Sequence, residues 1–272
     1  MSALPTQQRM EHAEAAAFAD LYAAAGPLAA ELRSGFAWRG ETLVTWIAAI
    51  DVLKFSRVIG VGLETPVTGE ELVAIAAQYD AAAVPRSFVQ LAPDARPAEA
   101  ARILTAAGWT RHNNWARLAR ATAHPPAHVS RLRIEAVGAE RAQIFGSICG
   151  TAFKLPELIA RWAARLVGQP GWTHYLAYEG MEPVGTAALR IDGDIAWFGY
   201  AATLAAARGR GAQSALIARR LSDAARLGCT HAVVETAEDL PDAPSTSLRN
   251  LRRQGFEQAY LRANYVRVRK PA

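Results

Sequence analysis

The stretch that decides the fold is Ala207 to Leu221, ARGRGAQSALIARRL, in which two glycines alternate with two arginines before a run of strong helix formers. A loop that enters a helix in this way presents unpaired backbone N–H groups and the positive end of the helix dipole to one point. The glycines allow close approach of the backbone, and Arg208 and Arg210 add charged donors. The stretch therefore predicts an anion-binding helix entry, although RGRG taken alone also fits an ordinary helix start. It is not a Walker loop, because no Gly-Lys-Ser/Thr follows.

The elements around this stretch are predicted in a regular order. Before it come strands in THYLAYEG, EPVGTAALRI and DIAWFGYAATL, with Asp192-Gly193 as the hairpin turn between the last two. This antiparallel meander differs from the βαβ units of a dinucleotide fingerprint. After the stretch come a helix ended by Gly228, a strand in CTHAVVETA, a short helix in SLRNLRRQG and a last strand in FEQAYLRANYVRV. Upstream, RLRIEAV predicts a strand, and two helices follow in AERAQIFGSICGTAF and PELIARWAARLVG, the second with Pro156 in its first turn.

This order of elements, with its glycine loop, resembles the GCN5-related N-acetyltransferase (GNAT) superfamily over about residues 130–268. The family signature is Gln/Arg-x-x-Gly-x-Gly/Ala, and Arg208, Gly211 and Gln213 occupy its positions, with glutamine replacing the last small residue. The resemblance implies loop amides that bind the pyrophosphate of acetyl-CoA. It also implies a fourth strand whose free backbone groups bind the pantetheine arm and can hold the acetyl oxygen. The implied cofactor-binding residues are Ala201, Ala202, Thr203, Arg208, Gly209, Arg210, Gly211, Ala212, Gln213 and Ser214.

The catalytic groups are less well defined by the sequence. Direct acetyl transfer needs a base for the amine proton and an acid for the leaving thiolate. The tyrosine that many family members place four residues before the glycine of GF is Leu251 here. Two candidates remain: Glu235, at the end of a strand, as the base, and Tyr260, which shares the strand parity of Phe256, as the acid. Each also fits a structural role, Glu235 as a helix cap and Tyr260 as a packed core tyrosine.

The first half of the chain resembles a degenerate copy of the second, since ILTAAGWTRHNNWARL parallels NLRRQGFEQAYLRANY. Strands are predicted in GETLVTWIA, SRVIGVGL and RSFVQLAP, and helices in TGEELVAIAAQY and EAARILTAAGW, the first with a Thr68/Glu71 capping box. Where the glycine loop should stand, the chain reads ETPVTGEEL, and Glu70 and Glu71 would repel a pyrophosphate. One working site is therefore predicted, in the second half.

The predicted fold class is α+β, with two GNAT-like domains of mostly antiparallel mixed sheets flanked by helices. The predicted bounds are a degenerate domain without the CoA loop at 1–120, a linker at 121–130 and an acetyltransferase domain at 131–272. The short tail after Tyr265 leaves little chain for a return strand, so each half is expected to complete the surface of the other.

Composition limits the remaining classes of function. A net charge of +5 and a pI of about 9.5 invite a nucleic-acid partner, but the arginines are scattered, and a solvated basic face is favoured. No signal peptide or membrane span is predicted. Cys149 and Cys229 form no disulfide framework, so a reducing cytoplasm is the expected location. The histidines show no paired ligand spacing, and no metal is expected.

The sequence thus predicts an acetyl-CoA-dependent N-acetyltransferase acting on the primary amine of a small molecule or on a peptide amino terminus. A homodimer is left open. The first alternative is a non-catalytic acyl-CoA-binding or regulatory module, which the missing tyrosine would suit. The second is a basic nucleic-acid binder.

Overall fold

A computed structural model describes residues 3–126 and 130–269, so Ala127–Val129 of the predicted linker lie outside the described residues. Over the described ranges the helices are α1 (Gln7–Ala23), α2 (Leu28–Leu32), α3 (Gly69–Ala81), α4 (Ala100–Ala106), α5 (Ala142–Phe153), α6 (Glu157–Arg165), α7 (Ala212–Arg226) and α8 (Thr246–Arg253). The strands are β1 (Ser34–Arg39), β2 (Thr42–Ile47), β3 (Arg57–Ile59), β4 (Arg86–Leu91), β5 (Thr110–Ala121), β6 (Arg133–Val137), β7 (Trp172–Glu179), β8 (Glu182–Asp192), β9 (Ile195–Thr203), β10 (His231–Ala237) and β11 (Glu257–Val268). The α+β class with mixed sheets flanked by helices, predicted from the sequence, is confirmed.

The chain forms two compact units. The carboxyl-terminal unit comprises Arg117–Ala259 with Met1–Pro5, and the amino-terminal unit comprises Thr6–Ala116 with Tyr260–Ala272. The division falls inside β5 and inside β11, so most of β11 belongs to the amino-terminal unit. The domain bounds at 1–120, 121–130 and 131–272 stay a prediction.

The amino-terminal unit is built on the strand order β1-β2-β3-β4-β11, in which β3 and β4 are parallel and the other neighbours antiparallel. One face of this sheet carries an apolar core that includes Val44, Val58, Ile75 and Trp109. Helix α3 packs there, and its predicted capping box is partly realised, because the Thr68 hydroxyl accepts a hydrogen bond from the Glu71 amide at 3.1 Å.

The opposite face of that sheet carries a buried polar layer under α1. Glu11 and Glu14 of α1 are 1% and 0% exposed, and Arg262 of β11 is 0% exposed. Arg262 Nη1 lies 2.6 Å from Glu11 Oε2 and 2.9 Å from Glu14 Oε2. Arg57 Nη1 donates to Glu14 Oε1 at 2.9 Å. Two carboxylates thus meet two guanidinium groups, and the formal charges of the layer cancel.

The layer extends along β4 and β11 through neutral side chains. Gln90 accepts a hydrogen bond from Arg57 at 3.0 Å and donates one to Asn264 at 3.0 Å. The Asn264 amide donates in turn to Asn113 of β5 at 2.8 Å. Because buried polar groups are costly without partners, these contacts favour the observed neighbourhood of β4 and β11.

The carboxyl-terminal unit is built on the strand order β5-β10-β9-β8-β7-β6. Strands β7 to β9 form the predicted antiparallel meander, β6 pairs antiparallel with β7, and β10 runs parallel to β9. The hairpin between β8 and β9 differs by one residue from its prediction. Asp192 pairs with Ile195, so the turn residues are Gly193 and Asp194, and Gly193 adopts the positive φ of 57°.

Helices cover both faces of this second sheet. His174 of β7 contacts Phe145 of α5 with ring centroids 4.9 Å apart, while the Tyr175 hydroxyl donates to Asp223 of α7 at 2.8 Å. Neighbouring residues on a strand point to opposite faces. Helix α5 therefore lies on one face and α7 on the other.

Helix α6 packs closely on α5 through glycine. A Cβ at Gly146 would meet the Ala160 carbonyl oxygen at 2.4 Å and Ala164 Cβ at 2.9 Å, and one at Gly150 would meet Ala160 Cβ at 2.7 Å. Pro156, predicted inside the first turn of α6, is instead its N-cap with ψ of 149°. The extended backbone there turns the chain from α5 into α6.

Candidate functional site

The glycine loop has the geometry of an open helix entry. A 3₁₀ turn at Ala205–Ala207 follows β9, and Gly209 and Gly211 take φ of 78° and 86°, values that favour glycine. Gly211 is the N-cap of α7, and no side chain caps the helix there. No atom lies within 4 Å of a Cβ built at either glycine. The first amides of α7 are therefore not capped by a side chain, and the space over the loop is open.

The arginines of the loop lie at the surface. The Arg208 side chain makes a long contact of 3.4 Å with the Thr203 carbonyl oxygen. Arg210 pairs with Glu179 at the end of β7, and this hydrogen bond raises the pKa of the Arg210 guanidinium. Both side chains are exposed and flank the helix entry with positive charge.

Strands β9 and β10 part next to this loop. Their parallel ladder runs from His231 opposite Ile195 to Val234 opposite Phe198. Beyond Phe198, β9 continues to Thr203 and β10 to Ala237, and no further pairing joins these two segments within the part of the chain that the structure describes. The implied residues Ala201, Ala202 and Thr203 line this gap on the β9 side.

A bulge in β9 lies at the start of the gap. On the other edge of the strand, Gly199 pairs with Ala188 and Ala202 with Thr186, so two residues of β9, 200 and 201, stand opposite one residue of β8. Tyr200 takes the left-handed φ of 51°, and the Thr186 hydroxyl donates to the Tyr200 carbonyl oxygen at 2.9 Å.

Gln213, the residue that departs from the family signature, connects α7 with α8. Its amide nitrogen donates to the Ser247 hydroxyl at 3.0 Å, and its amide oxygen accepts from Asn250 at 2.7 Å. The glutamine side chain is thus bonded to α8. Leu251, at the place of the family tyrosine, is 2% exposed and packs as a core residue.

The two catalytic candidates have different surroundings. Glu235 lies on β10 just beyond the ladder with β9; its side chain is 17% exposed, and its Oε2 lies 3.8 Å from Nη1 of the fully buried Arg117. Tyr260 lies in the amino-terminal unit, where its hydroxyl donates to Glu11 Oε1 at 2.6 Å. The hydroxyl is thereby part of the buried polar layer.

An aromatic cluster under the bulge was not predicted from the sequence as a unit. Around His174, the Trp172 ring stacks at 5.6 Å and the Phe145 ring meets it edge-on at 4.9 Å. Tyr200 contacts both Trp172 and Trp197 at 6.1 and 6.3 Å. His174 is 1% exposed, neither ring nitrogen has a hydrogen-bond partner in the described residues, and burial lowers its pKa to about 4. Its ring is neutral at physiological pH.

The sequence signal for this cluster is that Trp172 and His174 lie two positions apart on β7 and therefore share a face of the strand. Sequence analysis cannot show which face of the strand meets α5. The bulge in β9 adds to this difficulty, because it shifts the side-chain alternation of that strand by one residue.

A polar groove of about 520 Å³ lies between α5 and α6, on the face of the sheet that also carries the aromatic cluster. Its lining includes Ser147, Thr151, Lys154, Glu157 and Arg161. These side chains carry both charges and several hydrogen-bonding groups.

Two further properties concern residues 3–126 and 130–269. No group of His, Cys, Asp or Glu side chains in these ranges could hold a metal ion. No helix among them is both long and apolar enough to cross a bilayer.

Comparison with known proteins adds a family match. Residues 143–256 match the profile described as "Acetyltransferase (GNAT) family". This range holds α5 to α8, the glycine loop and the gap between β9 and β10. No curated protein matches the sequence.

Several solved structures share the fold over most of their length. A GCN5-related N-acetyltransferase from Kribbella flavida superposes with a TM-score of 0.64 at 21% identity, covering 90% of this chain and 95% of that one. A GCN5-related N-acetyltransferase from Sphaerobacter thermophilus superposes with a TM-score of 0.61 at 15% identity, covering 100% of this chain and 96% of that one. A tandem GNAT protein from the clavulanic acid biosynthesis pathway superposes with a TM-score of 0.59 at 13% identity, covering 98% of this chain and 97% of that one. At these identities the likeness shows the fold. With the family match, it confirms the predicted resemblance to the GNAT superfamily.

Proposed function

The chain fits the GNAT superfamily, and on that premise we propose that it is an acetyl-CoA-dependent N-acetyltransferase with one working site, in the carboxyl-terminal unit. The acceptor is the primary amine of a small molecule or a peptide amino terminus. GNAT proteins carry out acyl-CoA-dependent acetyl transfer in general, and the loop geometry is the observation that supports this function here.

The cofactor site is assigned to the segments at the gap. The amides that follow Gly211 and the positive end of the α7 dipole suit the pyrophosphate, and the absence of side chains at Gly209 and Gly211 leaves that space open. Arg208 and Arg210 add charge that attracts the phosphates. Ala201 to Thr203, beyond the ladder with β10, have the position to hydrogen-bond the pantetheine arm.

We propose Glu235 as the base. It lies beside the same gap, with Oε2 3.8 Å from Nη1 of Arg117 and a side chain that is 17% exposed. The amine nitrogen attacks the acetyl carbon, the carbon–sulfur bond breaks, and the thiolate takes a proton. Because Leu251 has no proton to give and the Tyr260 hydroxyl is bonded to Glu11, we propose that water supplies this proton.

The test of the cofactor site is Gly211→Asp, which brings a carboxylate to the pyrophosphate position. Acetyl-CoA should raise the melting temperature of the wild type by mass action, and the variant should lose that shift. Gly228→Asp is a matched control, because Gly228 follows the other end of α7 with a φ of 84° and equally open space. An unchanged shift in Gly211→Asp, or equal loss in both variants, would contradict the assignment.

The alternative, an acyl-CoA-binding module without catalysis, is supported by the replacement of the family tyrosine by Leu251. Release of free thiol from acetyl-CoA with a panel of primary amines separates the two functions. Turnover that depends on the amine supports the enzyme. Binding of acetyl-CoA without turnover of any amine supports the module.

A further inference from the structure

We propose that Thr186 is a positioning residue for the acetyl group: its hydroxyl fixes the Tyr200–Ala201 peptide so that the Ala201 N–H points away from β8, into the gap between β9 and β10. This inference rests on the proposed function, since it assigns a role within the same cofactor site. It concerns a side chain that lies outside the glycine loop and outside the catalytic candidates.

The first observation is the conformation that Thr186 supports. Tyr200 adopts φ of 51°, a left-handed conformation that costs a non-glycine residue free energy, at the bulge between the pairs Gly199–Ala188 and Ala202–Thr186. Such a conformation persists only where its surroundings determine it. The Thr186 hydroxyl donates to the Tyr200 carbonyl oxygen at 2.9 Å, and Thr186 is 0% exposed, so this hydrogen bond is protected from water.

The second observation is the face on which Thr186 lies. Its oxygen is 3.4 Å from the Sγ atom of Cys149, a residue of α5, so the hydroxyl is on the α5 face of the sheet. The Tyr200 carbonyl oxygen points toward this hydroxyl of β8. In a planar trans peptide the C=O and N–H bonds point in opposite directions. The Ala201 N–H therefore points away from β8, to the side of β9 on which the gap with β10 opens.

The chemical consequence follows from the place of this amide. Ala201 lies on the segment of β9 beyond the β10 ladder, next to the glycine loop that precedes α7. A backbone donor aimed into that space suits the acetyl carbonyl oxygen, which gains negative charge when the amine attacks the carbonyl carbon. Thr186 itself forms no bond to the acetyl group and exchanges no proton with it. Its role is to hold the donor in place through the Tyr200 carbonyl.

Thr186→Val tests the role, because valine has nearly the same shape and lacks the hydroxyl. Dissociation constants for acetyl-CoA and for CoA are measured by calorimetry, since only acetyl-CoA carries the carbonyl. In Thr186→Val, acetyl-CoA affinity should fall by roughly three- to tenfold relative to CoA, the range of one hydrogen bond. The kcat should fall by at least about tenfold, because an oxyanion donor matters most in the transition state. Thr186→Ser, which keeps the hydroxyl, should retain the wild-type ratio of the two dissociation constants and most of kcat.

The outcomes separate this inference from the proposed function. Wild-type protein that binds neither acetyl-CoA nor CoA would overturn the proposed function and this inference with it. Wild-type binding of both, with an unchanged ratio in Thr186→Val, would overturn the positioning role alone. A merely structural hydroxyl would lower the melting temperature and weaken both ligands equally. If Thr186→Val does not fold, the same ratio measured in Thr186→Ala decides.

Discussion

The neutral imidazole ring of His174 lies inside the aromatic cluster, and burial opposes its protonation. The His174 pKa of about 4 lies below the ordinary value of 6.5, so the unfolded chain binds more protons wherever the pH is under 6.5. The stabilising effect of the neutral ring is therefore complete above pH 6.5. It is lost progressively as the pH falls toward about 4.

His174→Phe should remove this part of the pH dependence, because phenylalanine keeps a ring in the cluster and cannot titrate. Between pH 7.5 and 5 the free energy of unfolding of the wild type should fall by about 2 kcal/mol more than that of the variant. Urea unfolding followed by tryptophan fluorescence at the two pH values measures the difference. Parallel losses in both proteins would show that His174 does not contribute.

Glu235→Gln tests the proposed base. Glutamine keeps the size of the side chain and most of its hydrogen bonding but accepts no proton from an amine, so kcat should fall by roughly a hundredfold or more while the Kd of acetyl-CoA stays within about twofold. Glu179→Gln, at the exposed partner of Arg210, is the control for loss of a carboxylate near the site. A drop in melting temperature with an unchanged kcat would indicate a purely structural ion pair with Arg117.

For single residues, the sequence predicts conformations that depend on adjacent residues and misses contacts between residues that are distant along the chain. Gly209 and Gly211 could be predicted because a positive φ and an uncapped helix start depend on adjacent residues. Thr186 could not be predicted, since its role depends on a bulge in another strand and on the face that α5 covers. The contacts of Gln213 with Ser247 and Asn250 likewise connect residues more than thirty positions apart.

The pairing of α5 with α6 depends on two glycines without side chains at the contact. Gly146→Ala should lower the free energy of unfolding by about 1–3 kcal/mol, because the added methyl meets the Ala160 carbonyl oxygen at 2.4 Å. Without this clash, alanine inside a helix would stabilise it by up to about 1 kcal/mol, so the sign of the change is diagnostic. Ser147→Ala, at the next and exposed position of α5, is the control and should change the free energy by less than about 0.5 kcal/mol. Thermal melts of the wild type, Gly146→Ala and Ser147→Ala measure the sign and size of the change.

Among the elements, most of those with an apolar period were predicted, whereas α1, whose buried face is partly polar, was not. Strands β2, β4 and β7 to β10 and helices α3, α5 and α7 lie where their patterns indicated. Helix α1 went unpredicted, because its buried face includes Glu11 and Glu14, which a reading of hydrophobicity assigns to the solvent. Only Arg57 and Arg262, from other parts of the chain, make that burial favourable.

For the whole molecule, a chain that begins at Ser130 should be unstable. It keeps Arg262 but lacks Glu11 and Glu14, so this arginine loses these ion-pair partners and the helix α1 that covers it. It also lacks β4, which pairs with β11 from Ala263 to Val268, and β5, which lies beside β10. Expression followed by sedimentation should find this fragment aggregated.

The paired control is the fragment 130–259, which lacks β5 just as 130–272 does and in addition omits Tyr260–Ala272 of the amino-terminal unit. It should be more soluble than 130–272, because it no longer carries Arg262 and the unpaired part of β11. If 130–272 folds and acetylates as well as the full chain, the expected dependence of the second half on the first is wrong. Sequence analysis predicted this dependence from the short tail, but not its chemical basis, since no local pattern connects Glu14 with Arg262.

The buried polar layer also has a consequence for the order of events during synthesis. Gln90 and Asn264 are separated by 174 residues, so at about 5–20 residues per second the ribosome needs roughly 10–35 s to bring the second to the first. Until then Glu11 and Glu14 lack Arg262, and the sheet under α1 lacks β11. The buried polar layer is therefore completed only after β11 has been synthesised, long after α1.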